Sequence, residues 1–151
     1  MIRQANLEDL PQVLNLYREL RPHDPELEKS FSEQVWAEMM RCPETYIVVA
    51  DIEGELAATC ALGLNKSIAN GGRPFAIIEH VITAEKFRRR GLSQQVLEFG
   101  IQKAWELNCY KVMLLSGENL TGAHRVYESV GFKAGIEKGF VIKAPKNKKD
   151  K

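Results

Sequence analysis

The chain has 151 residues, 44% of them hydrophobic, with 21 basic and 20 acidic side chains and a formal net charge of +1. That size and composition support one domain with a buried core, and the near-cancelled charge excludes broad electrostatic binding to nucleic acid or an anionic membrane. No apolar run approaches the ~20 residues of a bilayer span, and the first residues lack a signal-peptide pattern. Cys42, Cys60 and Cys109 are odd in number and have no Cys-x-x-Cys spacing, so they are expected as reduced thiols in a cytoplasmic protein.

Met1 to Ala5 alternates as a short strand, and Asn6 is placed to cap a helix, with Asp9 three positions on. Leu10, Val13, Leu14, Tyr17 and Leu20 recur at helical spacing, and Arg21-Pro22-His23-Asp24-Pro25 breaks the run. A second helix is predicted over Phe31 to Met40, with Val35, Trp36 and Met39 on one face. Strands follow at Thr45 to Asp51, Leu56 to Leu64 and Phe75 to Thr83, separated by turns at Glu53-Gly54 and Asn70-Gly71-Gly72. A helix over Leu92 to Leu107 carries Leu92, Val96, Phe99, Ala104 and Leu107 on one face. Lys111 to Leu115 is predicted as a short strand, Thr121 to Ser129 as a helix, and Phe132 to Ile136 and Gly139 to Lys143 as closing strands.

The order β-α-α-β-β-β-α-β-α-β-β predicts an α/β domain over residues 1–144. Its central sheet is mixed but mostly antiparallel, with helices on both faces. Residues 145–151 form a Lys-rich tail, expected to be disordered.

The most informative stretch is Phe87-Arg88-Arg89-Arg90-Gly91-Leu92-Ser93, between a strand and a helix. A Gly-containing turn entering a helix presents backbone N–H groups and the positive end of the helix dipole, and both favour phosphate. Neighbouring arginines add charge and forked donors. No Gly-Lys-Ser/Thr follows the glycine, and the three spaced glycines of a dinucleotide fingerprint are missing. The local chemistry therefore points to a diphosphate-bearing ligand in neither of those two modes.

Four features keep a fixed order: Glu79 on a strand, the Arg-rich turn, the strand Val112 to Leu115, and Ala123-His124-Arg125-Val126-Tyr127-Glu128-Ser129-Val130-Gly131-Phe132. This order resembles the GNAT superfamily of acyl-CoA-dependent N-acyltransferases. The family's pyrophosphate loop, Arg/Gln-x-x-Gly-x-Gly/Ala, is similar to Arg88 through Ser93, with Ser93 as the departure. Its later Ala-x-x-x-Tyr-x-x-x-Gly-Phe motif matches Ala123 to Phe132.

The resemblance implies acetyl-CoA as cosubstrate, with no metal. It places the CoA-binding set at Val81, Thr83, Phe87, Arg88, Arg89, Arg90, Gly91, Leu92, Ser93 and Asn119, although Asn119 stands eight residues before Tyr127 where the family usually has seven. Gly91 lets the backbone approach a diphosphate without an intervening Cβ.

Acyl transfer to an amine needs a nucleophile without its proton, a polarised carbonyl and a leaving thiolate that regains a proton. An alkylamine with a pKa near ~10.4 is only about a thousandth deprotonated at neutral pH, a deficit of about 4 kcal/mol. Glu79 is the candidate base, acting through a water, with adjacent His80 as the alternative. Neighbouring strand residues point to opposite faces, so at most one of the two is expected in the acceptor cleft. Tyr127 matches the family tyrosine that protonates the CoA sulfur, and a backbone N–H near Val81 would polarise the thioester carbonyl.

By the same resemblance, the acceptor cleft lies between roughly Tyr17 to Trp36 and Leu64 to Glu79, with Arg21, His23, Asp24 and Arg73 within it or beside it. Asn108-Cys109-Tyr110-Lys111-Val112, with Ile78-Glu79 upstream, is similar to glucosamine 6-phosphate N-acetyltransferases. The expected partner is a small amine: an amino sugar, amino acid, polyamine or peptide N-terminus. A homodimer is compatible with the family, while nucleic acid and membrane are not expected partners. The competing readings are a CoA-binding sensor without turnover and a nucleic-acid-binding domain built on Arg88 to Arg90 and the Lys tail. The latter lacks interleaved aromatic residues.

Overall fold

The computed structural model describes residues 1–146; most of the expected tail, 147–151, lies outside them. Five strands form one sheet in the order β1-β2-β3-β4-β5: β1 (Ile2–Gln4), β2 (Thr45–Ile52), β3 (Glu55–Asn65), β4 (Phe75–Thr83) and β5 (Val112–Leu114). Each neighbouring pair among the first four is antiparallel, and β5 joins β4 in parallel through the crossover helix α3 (Leu92–Glu106). The other helices are α1 (Leu10–Leu20), α2 (Lys29–Arg41) and α4 (Thr121–Ser129). The α/β class and mixed sheet are as the sequence predicts.

Ile47 to Ala50 and Leu56 to Cys60 are continuously buried, so β2 and β3 are covered on both faces. On one face Gly100 of α3 packs close to Cys60 and Ile78; a Cβ there would stand 3.7 Å from Cys60 Sγ and 3.8 Å from Ile78 Cδ1. Helix α1 packs on β3 and β4, sending Val13 and Leu16 into the core. Trp36 of α2 is buried and donates its indole N–H to Asn6 O at 3.2 Å.

The predicted cap is present, in a single 3-10 turn (Leu7–Asp9) that leads into α1. Asn6 Oδ1 accepts from Glu8 N, and Asp9 Oδ2 accepts from Asn6 N at 2.7 Å. Asp9 also takes a two-pronged bond from Arg3, at 2.7 and 3.0 Å, and Arg3 reaches on to Asp51. The Arg3 guanidinium holds the Asp9 carboxyl below the usual range. A depressed folded pKa means that this stabilisation is complete above the unfolded value near ~3.9 and is lost as pH falls through the folded one. Asp9→Ala is expected to lower unfolding free energy by about 2 kcal/mol in urea titrations at pH 7, with the difference shrinking at pH 3.

The two closing strands do not form: residues 130–146 contain no strand. Gly131 (φ 108) and Gly135 (φ 80) take left-handed conformations that turn the chain away from a ladder. The Lys111–Glu137 ion pair at 3.0 Å ties this segment to the residue that precedes β5. Phe140, Val141 and Ile142 are exposed.

Candidate active site

The site begins where β4 and β5 part. Their parallel register runs only through Ala76↔Val112, Ile77↔Met113 and Ile78↔Leu114, after which β4 continues to Thr83 with β3 as its one paired neighbour among the described residues. Glu79 is the first residue beyond the pairing. A cleft at the carboxyl ends of parallel strands is where open α/β sheets take ligands.

The β3–β4 register adds a second irregularity. Ala61 pairs with Glu79 and Thr59 with Ile82, so His80 and Val81 together face the single residue Cys60. This is a β-bulge, and His80 sits in it at φ 55. The bulge corrects the expectation from strand alternation that only one of Glu79 and His80 can serve the cleft. Both side chains converge, with His80 Nε2 3.9 Å from Glu79 Oε2. It also disturbs the ladder at Val81, the residue whose main-chain N–H the family resemblance singles out.

His80 is held from the other side by α1. Arg21 Nη1 lies 2.9 Å from His80 Nδ1, and the Tyr17 ring tilts against the imidazole at 5.3 Å between centroids. Burial pushes the His80 pKa down and Arg21 adds to the effect, while Glu79 and Asp24 oppose it. Burial also pushes the Tyr17 phenol up to about 12. Sequence reasoning missed the Arg21–His80 contact, which joins residues 59 apart in the chain.

After β4, a 3-10 turn over Glu85–Phe87 leads through Arg88, Arg89 and Arg90 to Gly91, which precedes α3. Arg89 (φ 67) and Gly91 (φ 71) are both left-handed and curl the main chain ahead of the helix. The first N–H groups of α3 have no acceptor within the helix. A Cβ built on Gly91 meets no protein atom within 4 Å, so open space fronts the loop. These amides and that space fit a diphosphate.

The side chains divide the work. Phe87 and Leu92 are buried and anchor the loop, so only their main chains can reach a ligand. Arg90 lies over the Phe87 ring, and Arg88 Nε donates to Thr83 O at 3.4 Å. All three arginines are exposed. The Ser93 hydroxyl bonds the Thr83 hydroxyl at the end of β4, so the larger side chain at the family's Gly/Ala position is absorbed by the protein.

Tyr127, on α4, is half-buried and meets Phe132 edge-on at 6.3 Å between centroids. Burial pushes its phenol pKa up, and neighbouring Ser116 draws it partly back. The Ser116 Oγ is itself buried and completes no hydrogen bond of ordinary geometry among the described residues. A groove of about 690 Å3 opens here between β5, α3 and residues 130–137. Ser116, His124 and Tyr127 line it, and no residue of 79–93 does. Asn119 is exposed in the Gly117–Leu120 turn before α4.

Arg73, expected within or beside the acceptor cleft, and the Asn108 to Val112 run both take part in the connection from α3 to β5. Arg73 donates to Asn108 O and Cys109 O, both at 3.1 Å. Asn108 (φ 66) ends α3 in a Schellman arrangement, with Cys109 N bonded to Ala104 O and Asn108 N to Trp105 O. Cys109 is buried, and Tyr110 N bonds Pro74 O. The Asn108-Cys109-Tyr110 run thus terminates a helix and leads into β5.

Known proteins agree with this architecture. An uncharacterized N-acetyltransferase from Lactobacillus delbrueckii subsp. lactis is 26% identical over 153 residues, spanning 93% of this chain and 88% of the relative. The structure of a putative acetyltransferase from Agrobacterium tumefaciens superposes with a TM-score of 0.90 at 40% identity, covering 95% of this chain and 99% of that one. Glucosamine-6-phosphate N-acetyltransferase from Arabidopsis thaliana superposes with a TM-score of 0.83 at 21% identity, over 97% and 98% of the two chains. At that identity the likeness is one of fold. The family model for acetyltransferases of the GNAT family matches residues 10–132, and with most of its length matched the chain belongs to that family.

Proposed function

We propose that this protein transfers an acetyl group from acetyl-CoA directly to a primary amine of a small molecule or peptide. The parting of β4 and β5 beyond Ile78 and Leu114 carries this reading. Glu79 follows directly on the last paired residue, an exposed position at the parting, and the Arg89–Gly91 loop comes after the end of the same strand. Acetyl-CoA, when bound, supplies the thioester.

Main-chain amides of the loop and the first turn of α3 bind the diphosphate. The Val81 amide, beside the bulge, donates to the acyl oxygen as negative charge builds there. Glu79 takes the proton that the amine gives up as its nitrogen bonds the acyl carbon. Tyr127 gives its phenolic proton to the sulfur as the C–S bond breaks, and later regains one from solvent. A raised phenol pKa keeps Tyr127 protonated through neutral pH, as an acid must be.

Tyr127→Phe is expected to lower kcat about 10-fold while the CoA Kd changes less than about 2-fold. Equal losses in both would assign Tyr127 to packing. The reading as a whole is tested by thiol release from acetyl-CoA against a panel of small amines, amino sugars, amino acids and peptides. Amine-dependent release supports it. CoA binding without release from any acceptor would favour a sensor module.

A further inference from the structure

The side chains around the β4 bulge specify more than the identity of the base. Both ring nitrogens of His80 have a charged neighbour: Arg21 Nη1 is 2.9 Å from Nδ1, within hydrogen-bond distance, and Glu79 Oε2 is 3.9 Å from Nε2. A guanidinium has five N–H donors, no acceptor, and does not deprotonate in proteins. The Arg21–His80 contact is therefore a hydrogen bond only if Nδ1 carries a lone pair. The single proton of a neutral imidazole then sits on Nε2, the edge turned to Glu79.

We propose that Arg21 is a positioning residue that locks His80 as the neutral Nε2–H tautomer, making His80 a donor toward Glu79 and leaving Glu79 as the base of the bulge. This deepens the function proposed above and rests on its assignment of Glu79.

The opposite tautomer would set an N–H against a guanidinium N–H and a lone pair against a carboxylate, two repulsions in place of two attractions. Imidazolium would lose the Arg21 bond and add a second cation beside the first. Among the described residues Arg21 has no carboxylate within 4 Å to offset that charge. The other groups facing the ring are the Tyr17 phenol, Asp24 and Glu79. The two acids favour the charged ring, but burial and Arg21 oppose them and hold its pKa down. At 3.9 Å the Nε2–Oε2 pair is longer than a hydrogen bond. In the free protein the donor is thus poised, and the other carboxylate oxygen is left for the amine.

The backbone carries a matching cost. A non-Gly residue at φ 55 is strained, though histidine tolerates that region better than most. With this left-handed residue in the bulge, the imidazole lies on the side of Glu79.

The test is a 15N ring-nitrogen spectrum of the full chain at pH 7.5, without substrate. The chain has three histidines, and His80→Gln identifies the His80 signals by their loss. The expected result is a lone-pair Nδ1 and a protonated Nε2 in the wild type, with mixed tautomers and a higher titration midpoint in Arg21→Ala. In turnover, His80→Gln should stay within about 3-fold of wild type, because the amide can accept from Arg21 and donate to Glu79, while His80→Ala loses about 10-fold. Both substitutions meet the same backbone strain, so the contrast isolates the hydrogen bonds. A protonated Nδ1 in the wild type, or His80→Gln as slow as His80→Ala, overturns the proposal. The spectrum needs no turnover, so its failure is separable from a failure of Glu79 as base, which Glu79→Gln reports.

Discussion

Glu79→Gln is expected to lower kcat/KM for the amine about 100-fold or more at pH 7. The amide keeps the size of the side chain and removes its capacity to take a proton. The Glu79 side chain is 55% exposed, so its loss should leave folding and CoA affinity near wild type. The deficit should narrow as pH rises toward the amine's own pKa near ~10, because solvent then supplies the free amine that the carboxylate otherwise generates. Rate profiles from pH 6 to 10 in both proteins measure this. A constant ratio across the range would assign Glu79 to binding the acceptor's charge, with no part in removing its proton.

Gly91→Val is expected to raise the CoA Kd about 30-fold or more. At φ 71 a β-branched side chain costs on the order of 2 kcal/mol, which the loop relieves by giving up its curl. A Cβ at this position meets no protein atom within 4 Å, so on the proposed function it projects into the space that the diphosphate would fill. Folding should survive with a modest fall in Tm, since no core contact is disturbed. Titration calorimetry with CoA, run beside Gly91→Ala, should give a graded series of glycine, alanine and valine. An unchanged Kd for valine would place the diphosphate elsewhere.

The parts of the site that could be read in advance are local in sequence. The turn from Phe87 to Ser93 announces itself because arginines, a glycine and a helix start are contiguous, and Asn6 with Asp9 forms the cap that their spacing implies. The bulge could not be read. Phe75 to Thr83 is apolar on both faces apart from Glu79 and His80, so alternation has nothing to register against, and the extra residue appears only when β4 is paired with β3 at Cys60. Arg21 is equally silent: a charged residue in a Pro-flanked breaker, it gains meaning through a histidine 59 positions away. The closing strands failed for the opposite reason. Phe132 to Ile136 has strand composition, yet left-handed Gly131 and Gly135 steer it off the sheet edge. Arg73 carries a side chain of the kind that contacts ligands, but its Nε and Nη2 donate to the Asn108 and Cys109 carbonyls where α3 ends and β5 begins.

The account stands on the main chain around Gly91 holding the CoA diphosphate while the thioester reaches Glu79 and Tyr127. The most direct measurement is the change in backbone amide shifts when CoA is titrated into the 15N-labelled protein. The account predicts that the largest shifts fall at Arg88 to Ser93, with smaller ones at Val81 and Tyr127. Shifts confined to the groove lined by Val130 to Glu137, with the loop silent, would contradict it.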